Sequence, residues 1–458
     1  MRSGGLCITL TPQTLDEVFS ADISRADCVE VRLDYLKEPR QSIDARWDRL
    51  ALPVIATCRG KERGGLFDGS IEEEIRILES AAGNGARFVD IDYRFARPFG
   101  SAQVIASFHD FAGTPGDIAE LLERACSTNA QIAKIATQVN SWSDNCRLFD
   151  LLKRQWSKPV IVLGMGDIGQ ITRVAGPSRG GYLTYAASRR QAAPGQLNVD
   201  EMLDVYNFRS IKASTKLIGI VGMPVTHSKS PNIHNRAFAA ADLDYAYMKF
   251  PTPDVNDFVQ SARKLGVHGF SVTIPHKIAM IPHLAQMSDS VREVGAVNTV
   301  TNVDGDWVGD NTDVHGVRAA LASAGFDPAG KRIVILGKGG GAKAAAAALK
   351  DAREIVMLSR QEIPNAAQYP CDLLINATPI GMYPNVDASP VNGPIPAGAV
   401  FDMVYNPSIT NLLRSAAEQG KTTIQGMKML LSQAARQFEI WTKRPAPPEV
   451  FEAEFKPS

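Results

Sequence analysis

The sequence predicts an α/β protein made of an N-terminal (β/α)8 barrel followed by a two-lobed α/β region that contains a Rossmann-type lobe. Two observations predict this fold class. Short apolar runs alternate with helical segments over the first ~205 residues, and a glycine-rich turn separates a later apolar run from an alanine-rich helix. At roughly 150 residues per domain, a chain of 458 residues has room for about three units.

The composition is typical of a globular enzyme with small partners. Lys plus Arg and Asp plus Glu both number 49, so no overall basic field attracts nucleic acid or an anionic membrane. The six cysteines form no CxxC pair and no metal-ligand cluster, which favours reduced thiols and no metal cofactor. No apolar run approaches the ~18 residues of a spanning helix. We therefore expect a cytoplasmic enzyme acting on small molecules, of open oligomeric state.

The first half contains eight predicted strands. They are almost continuously apolar, as parallel strands covered on both faces are, and segments such as Ser70–Ala82 between them have helical spacing. Eight such units in this length suit a closed barrel better than an open sheet. The predicted strands are Leu6–Leu10, Cys28–Leu33, Pro53–Cys58, Arg87–Asp92, Gln103–Ser107, Gln131–Thr137, Pro159–Gly164 and Gly181–Tyr185.

Polar side chains cluster at the carboxyl ends of these strands, where barrels of this kind hold their active sites. In chain order they are Glu30, Arg32, Arg59, Asp92, His109, Lys134, Arg173 and Gln196. Lys134 stands inside a buried strand, which is costly unless the amine is neutral or paired. Neighbouring cations such as Arg59 and Arg173 favour the neutral amine, a nucleophile toward ketones. The alternative is that Lys134 pairs with a carboxylate and only closes the barrel.

Residues 1–205 resemble type I 3-dehydroquinate dehydratases. The likeness lies in Glu-Val-Arg-Leu-Asp, Ser-Phe-His-Asp-Phe, Ala-Lys-Ile-Ala, Ile-Thr-Arg-Val-Ala-Gly and Ala-Pro-Gly-Gln, in the family's order. It implies that Lys134 forms an imine with the substrate ketone, that His109 moves the protons and that Asp92 orients the imidazole. It further implies that Arg173 and Gln196 hold the substrate carboxylate, and that the hydroxyls and the charge balance depend on Glu30, Arg32 and Arg59.

The chain departs from that family at two positions. Ala192 stands where the family often has a serine, which removes one hydroxyl donor to the substrate. Asp92 stands where related enzymes have a glutamate, one methylene longer. Both departures concern the strength of substrate binding more than the type of reaction.

The second half begins near residue 215 with new strand and helix patterns and several polar motifs. Ser228 and Ser230 precede a helix start, where hydroxyls also serve as N-caps. Lys277 and Asp313 are candidate site residues, with a surface ion pair as the alternative. Further polar candidates in this region are Thr273 and Asn298.

A glycine-rich turn follows the apolar run that starts at Lys331. Glycines here let the backbone approach a pyrophosphate at a helix N-terminus. The candidate cofactor contacts at the turn are Gly337, Gly339, Gly340, Gly341, Ala342 and Lys343. The next strand, Glu354–Ser359, ends at Arg360, which suits the 2′-phosphate of NADP, with Ser359 as a second donor; a merely solvated arginine is the alternative.

Residues 215–448 resemble shikimate dehydrogenases. Met-Pro-Val-Thr-His-Ser-Lys-Ser-Pro, Ser-Val-Thr-Ile-Pro-His-Lys, Ala-Val-Asn-Thr, Gly-Asp-Asn-Thr-Asp and Asn-Ala-Thr-Pro-Ile-Gly-Met carry the likeness. It implies that Ser228 and Ser230 contact the substrate carboxylate and that Lys277 and Asp313 flank the reacting carbonyl. The remaining implied contacts, to substrate or nicotinamide, are Thr273, Asn298, Thr378, Met403, Tyr405 and Gln433. The family's helix after Arg360 is largely missing, because residues 361–370 are few and hold two prolines.

The two resemblances together imply a fused enzyme of the shikimate pathway. It would dehydrate 3-dehydroquinate to 3-dehydroshikimate and reduce that product to shikimate with NADPH. The expected domains are a barrel at 1–209, a substrate lobe at 215–312, an NADP lobe at 313–425 and a returning C-terminal helix at 426–458. Two alternatives stay open: an NAD-dependent quinate/shikimate dehydrogenase working oxidatively, and a non-catalytic sensor that keeps the pockets without turnover.

Overall fold

The computed structural model describes residues 4–451, which divide into two compact units. The first unit comprises the described residues up to Lys216 together with Asp244–Gly266, and the second comprises Leu217–Leu243 and the chain from Val267 onward. The segment Asp244–Gly266 thus packs with the barrel, although it falls within the predicted substrate lobe. Within residues 4–451, no helix has both the length and the apolar character that crossing a membrane requires.

The first unit is built on eight parallel strands. They are β1 Gly5–Leu10, β2 Cys28–Arg32, β3 Val54–Thr57, β4 Phe88–Asp92, β5 Gln103–Asp110, β6 Ile132–Gln138, β7 Val160–Met165 and β8 Leu183–Ala187. The strands pair in the order β7-β6-β5-β4-β3-β2-β1-β8, so β7 and β8 form the two edges of a nearly closed barrel. The predicted barrel is confirmed. Its helices are Leu15–Phe19, Ile71–Gly83, Ile118–Cys126, Trp142–Lys153 and Gln170–Ala175.

Two stacked sets of side chains fill the barrel. Alternate residues of a strand face the same side, so each inward apolar residue is followed two positions later by another inward residue. The apolar set includes Cys7, Cys28, Ile55, Phe88, Ile105, Ile132, Ile161 and Leu183. The next positions toward the carboxyl ends form a buried polar set: Thr9, Glu30, Thr57, Asp90, Ser107 and Lys134. The apolar set packs the barrel interior nearer the amino ends of the strands. The polar set lies at the base of the candidate site and is called the polar floor below.

The strand Tyr245–Pro251 and the helix Val255–Lys264 complete the first unit by packing against the helix that follows β6. Trp142, 1% exposed, stacks edge-on against Phe250 and Phe258 with ring centroids 5.3 and 5.0 Å away. Its indole Nε1 donates to the carbonyl oxygen of Pro251 at 2.9 Å. The Asp257 carboxylate accepts hydrogen bonds from the first two helical amides, those of Trp142 and Ser143. This segment therefore caps and covers a helix of the barrel.

The second unit has two lobes. In the first lobe the strands lie in the order Lys216–Gly222, Val267–Val272, Thr299–Val303, Asp306–Asp310 and Gln286–Met287, with the helices Ser230–Ala240 and Asp289–Val294. The second lobe is a parallel sheet in the order Glu354–Leu358, Arg332–Leu336, Cys371–Asn376, Ala397–Asp402 and Thr422–Gln425. The remaining helices of the unit are Asp313–Ser323, Gly340–Ala348, Asn411–Glu418, Gly426–Thr442 and Pro448–Phe451. Apolar clusters cover the parallel sheet, as the Rossmann-type prediction requires.

The connection between the strands Glu354–Leu358 and Cys371–Asn376 is short. It contains only the 3-10 helix Ile363–Gln368. A full crossover helix usually covers this side of such a sheet. The expected shortening of this connection is therefore present, and Ser359 and Arg360, which follow the buried Leu358, are half-buried and exposed.

Candidate active sites

Lys134 lies at the centre of the barrel, on β6, with its side chain 5% exposed. Its Nζ donates to Asp90 Oδ2 at 2.7 Å and lies 4.0 Å from Glu30 Oε1. The amine also sits 4.2 Å from the ring centroid of Tyr185. Two carboxylates and an aromatic face therefore surround the amine, and the expected cation Arg59 bonds the other oxygen of Asp90. That such cations favour the neutral amine stays a prediction. The structure shows Lys134 paired with a carboxylate, as the alternative interpretation of the sequence expects.

Asp90 is the charge centre of this cluster, and the sequence motifs did not single it out. Its fully buried carboxylate accepts hydrogen bonds from Lys134, from Arg59 Nη2 at 3.0 Å and from Ser107 Oγ at 2.7 Å. Burial acts to raise the pKa of this carboxyl, but Lys134, Arg59 and His109 outweigh it and hold the pKa well below its ordinary value. Asp90 thus stays ionised and holds the Lys134 and Arg59 side chains in the polar floor.

His109 stands beside this cluster, half-buried near the end of β5. Burial first, and then Arg59 and Lys134, lower the pKa of the imidazole well below its ordinary value. The ring is therefore neutral at neutral pH and free to accept a proton. It stacks against Phe111, with the ring planes 17° apart. A cavity of about 160 Å³ lies here, lined in part by Arg59, Asp90 and His109.

Asp92 lines the same cavity but has a different partner. Its carboxylate accepts hydrogen bonds from the backbone N, Nε and Nη2 of Arg94 at 3.0, 2.8 and 2.9 Å. Arg94 is 56% exposed in its side chain, so this pair lies at the surface of the unit. The role of Asp92 in orienting His109 stays a prediction.

Arg173 is a buried cation without a full set of partners. It is 2% exposed, and its Nε has no hydrogen-bond partner within residues 4–451. Burial lowers the pKa of the guanidinium to about 10, which leaves it charged at neutral pH. A buried, unsatisfied guanidinium is the feature that a carboxylate ligand would complete.

The other predicted barrel residues lie in or beside the polar floor. Glu30 accepts hydrogen bonds from Thr9 and Thr57, each at 2.9 Å. Gln196 Nε2 donates to Thr9 Oγ1 at 3.1 Å, which brings the segment after β8 to the same cluster. Arg32 donates two hydrogen bonds to Asp34, at 2.9 and 2.7 Å. Glu30 and Gln196 thus join the Lys134 network, while Arg32 forms a separate buried ion pair.

The second candidate site is centred on Lys277 and Asp313. Lys277 Nζ donates to Asp313 Oδ2 at 2.5 Å, and Asn298 Nδ2 donates to Asp313 Oδ1 at 2.8 Å. The lysine and aspartate side chains are 19% and 7% exposed, so the surface ion-pair alternative is wrong. Asn298 also lies 3.4 Å from Gln433 Oε1. This network fixes the ammonium at the edge of a cavity of about 180 Å³.

That cavity brings together most of the predicted substrate contacts. Its polar lining comprises Ser230, Ser271, Thr273, Lys277, Asn298, Asp313, Tyr405, Gln433 and Gln437. Ser271 and Gln437 were missed, although they are joined by a 3.0 Å hydrogen bond. Ser271 is the first residue of the Ser-Val-Thr-Ile-Pro-His-Lys motif but was not singled out, and Gln437, one helical turn after Gln433, belongs to no motif. The spacing of four residues on helix Gly426–Thr442 is the only signal that could have indicated Gln437.

Ser228 lies two residues before helix Ser230–Ala240, whereas Ser230 is the first residue of that helix. Ser230 is 7% exposed and lines the cavity. The Ser228 Oγ accepts a hydrogen bond from the backbone N of Ser230 at 3.3 Å. The N-cap of the helix is Lys229, and no described side chain makes a capping hydrogen bond, so the N-capping alternative is wrong for both serines. Contact of Ser228 with the substrate stays a prediction.

The glycine-rich turn has the geometry of a phosphate cradle. Gly337 has φ +112°, a conformation that favours glycine, and helix Gly340–Ala348 begins after Gly339. A Cβ at Gly339 would meet no atom within 4 Å, so the backbone is open on that side. A Cβ at Gly341 would meet Met403 Cε at 3.3 Å. An open backbone at a helix N-terminus fits the pyrophosphate of a dinucleotide.

Thr378 and Lys343 lie near the same turn, on its two sides. A Cβ at Gly337 would meet Thr378 Cγ2 at 3.3 Å, and Lys343 is exposed on helix Gly340–Ala348 while Ala342 is buried under it. Arg360 is exposed just beyond strand Glu354–Leu358, next to Ser359. The predicted cofactor residues are thus gathered at the carboxyl edge of the parallel sheet, where such folds bind nucleotides.

Comparison with known proteins agrees with both halves. Residues 6–213 match the family model of type I 3-dehydroquinase, residues 220–300 the shikimate dehydrogenase substrate binding domain and residues 426–454 the shikimate 5′-dehydrogenase C-terminal domain. The chain is 38% identical to a shikimate dehydrogenase (NADP(+)) of Moorella thermoacetica over 53% of this chain and 93% of that protein. A crystal structure of a chorismate mutase/shikimate 5-dehydrogenase fusion protein from Clostridium acetobutylicum matches 52% of this chain and 95% of its own, with 30% identity and a TM-score of 0.50.

Some relatives match both halves of the chain in a single alignment, and one of them has the same two-part organisation. It is the bifunctional 3-dehydroquinate dehydratase/shikimate dehydrogenase, chloroplastic, of Arabidopsis thaliana, and it is 34% identical to this chain. The alignment spans 97% of this chain and 83% of the relative. With a lysine-centred barrel and a Lys–Asp site in an NADP-type dehydrogenase fold, the chain belongs to the family of bifunctional 3-dehydroquinate dehydratase/shikimate dehydrogenases.

Proposed function

We propose that the chain catalyses two consecutive reactions, with 3-dehydroquinate dehydrated in the barrel and 3-dehydroshikimate reduced by NADPH in the second unit. The observation that carries the proposal is the buried Lys134 amine inside the barrel, hydrogen-bonded to Asp90 near a neutral His109. The buried and incompletely bonded Arg173 of the same unit supports it. A binding protein has no need of an imine-forming amine. This argues against the sensor alternative.

In the dehydratase site, Lys134 acts as the nucleophile. After its ammonium passes a proton to a base, the amine adds to the substrate ketone, and loss of water gives a protonated imine. This iminium makes the C2 hydrogen acidic, and neutral His109 removes it. The resulting enamine expels the C1 hydroxyl, which leaves as water with the proton from His109. Hydrolysis of the product imine then frees Lys134.

Asp90 is a positioning residue in this scheme, because it acts through Lys134 and Arg59 rather than on the substrate. We assign the substrate carboxylate to Arg173 and Gln196, since Arg173 is buried and incompletely bonded. Glu30, Arg32 and Arg59 remain the proposed contacts of the ring hydroxyls. Arg32 is the weakest of these assignments, because Asp34 already accepts two of its hydrogen bonds.

In the reductase site, the bound cofactor supplies a hydride to the ketone carbon. Lys277 stabilises the alkoxide that forms and gives it a proton, while Asp313 holds the lysine in place. Asn298 fixes Asp313 and lines the cavity together with Thr273, and we assign the ring hydroxyls of the substrate to these two side chains. The remaining proposed substrate contacts are Ser228, Ser230, Tyr405 and Gln433.

We propose NADP rather than NAD as the cofactor. Gly337, Gly339, Gly340, Gly341 and Ala342 form the cradle for the pyrophosphate. Arg360 and Ser359 stand at the end of the next strand, where the ribose 2′ group of a dinucleotide lies in this fold. Lys343, Thr378 and Met403 border the cradle. An arginine at this point favours a 2′-phosphate, which argues against the NAD-dependent quinate/shikimate dehydrogenase.

A coupled assay tests the proposal directly. The full chain given 3-dehydroquinate and NADPH should form shikimate, and Lys134→Ala should abolish dehydration but reduce added 3-dehydroshikimate normally. Borohydride added with 3-dehydroquinate should attach substrate mass to Lys134. Lys153→Ala, an exposed lysine on the helix that follows β6, is the matched control. Dehydration without trapping at Lys134 contradicts the imine mechanism, and loss of both activities in Lys134→Ala contradicts independent sites.

Three further expectations remain proposals. The functional boundaries are 1–209, 215–312, 313–425 and 426–458. The partners are the small acids of these two reactions, without nucleic acid, which the balanced charge supports. A cytoplasmic location is supported by the six cysteines, all of which are free.

A further inference from the structure

The carboxylate of Glu362 lies at the edge of the cofactor lobe, where no motif predicts an acid. Glu362 follows the strand Glu354–Leu358 by a tight turn, in which its backbone N donates to the carbonyl oxygen of Ser359 at 2.9 Å. Its Oε2 accepts a hydrogen bond from the backbone N of Ser359 at 2.7 Å and from Lys338 Nζ at 3.2 Å. The side chain thus links the end of this strand to the glycine-rich turn.

These two donors stand where the ribose 2′ group of a dinucleotide is recognised. In this fold the group faces the end of the strand that follows the glycine-rich helix. That end is Ser359, and the Lys338 ammonium belongs to the glycine-rich turn itself, whose Gly337 N bonds the carbonyl oxygen of Leu358 at 2.8 Å. An amide N–H, an ammonium and the exposed guanidinium of Arg360 together suit a phosphate. The Glu362 carboxylate already accepts hydrogen bonds from two of these three groups, the Ser359 amide and the Lys338 ammonium.

We infer that Glu362 is a specificity-determining residue whose carboxylate competes with the cofactor's 2′-phosphate for the Ser359 amide and Lys338. It thereby weakens the preference for NADP over NAD that Arg360 provides. The inference rests on the proposed function, because it concerns the same cofactor pocket. Hydrogen bonds from Ser359 and then from Lys338 lower the pKa of Glu362 to about 2, so it is an anion at any working pH. Two anions cannot share these donors without repulsion, whereas the 2′-hydroxyl of NAD brings no charge.

Equilibrium binding to the full chain tests this inference independently of catalysis. Titration calorimetry with NADP⁺ and with NAD⁺ compares the wild type with Glu362→Gln, in which an amide oxygen still accepts from Ser359 and Lys338. The substitution therefore removes the charge and keeps the turn. Glu354→Gln, at the opposite end of the same strand, where Glu354 pairs with Arg332 at 3.0 Å, is the matched control.

We expect Glu362→Gln to bind NADP⁺ about fivefold more tightly and NAD⁺ within about twofold of the wild type, since only one ligand carries the repelled phosphate. The gain should shrink as salt is raised, because exposed charges are screened. Unchanged NADP⁺ affinity in Glu362→Gln, or an equal gain in Glu354→Gln, overturns the inference. Weaker NAD⁺ binding in Glu362→Gln also overturns it, because Glu362 would then bind the ribose hydroxyl. A wild type that binds no NADP⁺ overturns the proposed function itself.

Discussion

The substitution Asp90→Asn removes one negative charge from the polar floor of the barrel site and leaves the size of the side chain almost unchanged. Asp90 is fully buried, and its two cationic partners, Lys134 and Arg59, have side chains only 5% and 10% exposed. Each charge-assisted hydrogen bond contributes about 1.5–3 kcal/mol, and breaking a buried ion pair costs about 3–5 kcal/mol. Asparagine still accepts one hydrogen bond. We therefore expect a loss of about 3 kcal/mol in the free energy of unfolding of the first unit.

The same substitution should slow dehydration and leave reduction unchanged. Asp90 fixes the Lys134 amine at 2.7 Å, and a nucleophile misplaced by about 1 Å costs roughly 10²-fold in rate. Hydrogen exchange of peptides from β4 to β6 under increasing urea measures the stability, and steady-state assays with each substrate measure the two activities. The cations hold the pKa of Asp90 low against the effect of burial, so its contribution is present above about pH 4 and is lost as the pH falls further. The two proteins should converge in stability at acid pH.

Asp92→Asn is the control, because this carboxylate lies two residues further along the same strand. Its partner Arg94 is 56% exposed, so the pair contributes about 1 kcal/mol or less. If Asp92 orients His109, as predicted, this variant dehydrates slowly with nearly normal stability. The argument from buried charge would be refuted by an Asp90→Asn protein whose free energy of unfolding lies within about 0.5 kcal/mol of the wild type and whose dehydration rate lies within about twofold of it.

Four shorter predictions concern other parts of the chain. Lys277→Ala should slow reduction roughly 10²-fold with little change in KM, and normal turnover would remove this lysine from the mechanism. Arg360→Ala should raise the Kd of NADPH about tenfold and leave that of NADH unchanged; equal losses would mean that it does not bind the phosphate. Because burial and nearby cations lower the pKa of His109, kcat/KM for dehydration should stay level through about pH 6.5, the ordinary imidazole value, and fall only well below it; an acid limb at or above that pH contradicts the assignment. Trp142→Ala should cost about 3–5 kcal/mol in the stability of the first unit, measured by hydrogen exchange, and a smaller loss would mean that Asp244–Gly266 does not support the barrel.

The strands of the barrel and those around the glycine-rich turn were predictable because their signal is local, whereas Asp306–Asp310 and Thr422–Gln425 have no continuous apolar run and were not predicted. Continuous apolar runs of this length, bounded by polar turns, indicate buried parallel strands whatever lies elsewhere in the chain. The glycine-rich turn was predictable for the same reason, since its strand, turn and helix are consecutive. His109 was placed after its strand, but β5 runs on to Asp110. The prediction ended the strand where the apolar run ended, whereas pairing with β6 continues through the polar residues.

The partners of Lys134 could not be predicted in this way. By register, Ser107 and Lys134 are level with Asp92, not with Asp90. Strands in a barrel tilt relative to its axis, so side chains that meet in the interior are not those that are level in the sheet. The carboxylate that reaches Ser107 and Lys134 is therefore that of Asp90. Glu362 was missed for a related reason, because its contacts are set by a turn and not by a periodic pattern.

Each half of the chain holds a lysine against an aspartate, and the surroundings give the two lysines opposite roles. Neutral His109 stands in the barrel with Lys134 and can serve as the base that the proposed attack of this lysine on a ketone requires. The cavity around Lys277 has no histidine in its lining among the residues that the structure describes. In the proposed mechanism, the lysine is therefore the nucleophile where a neutral histidine stands near it, and the proton donor to an alkoxide where the cavity lining holds no histidine.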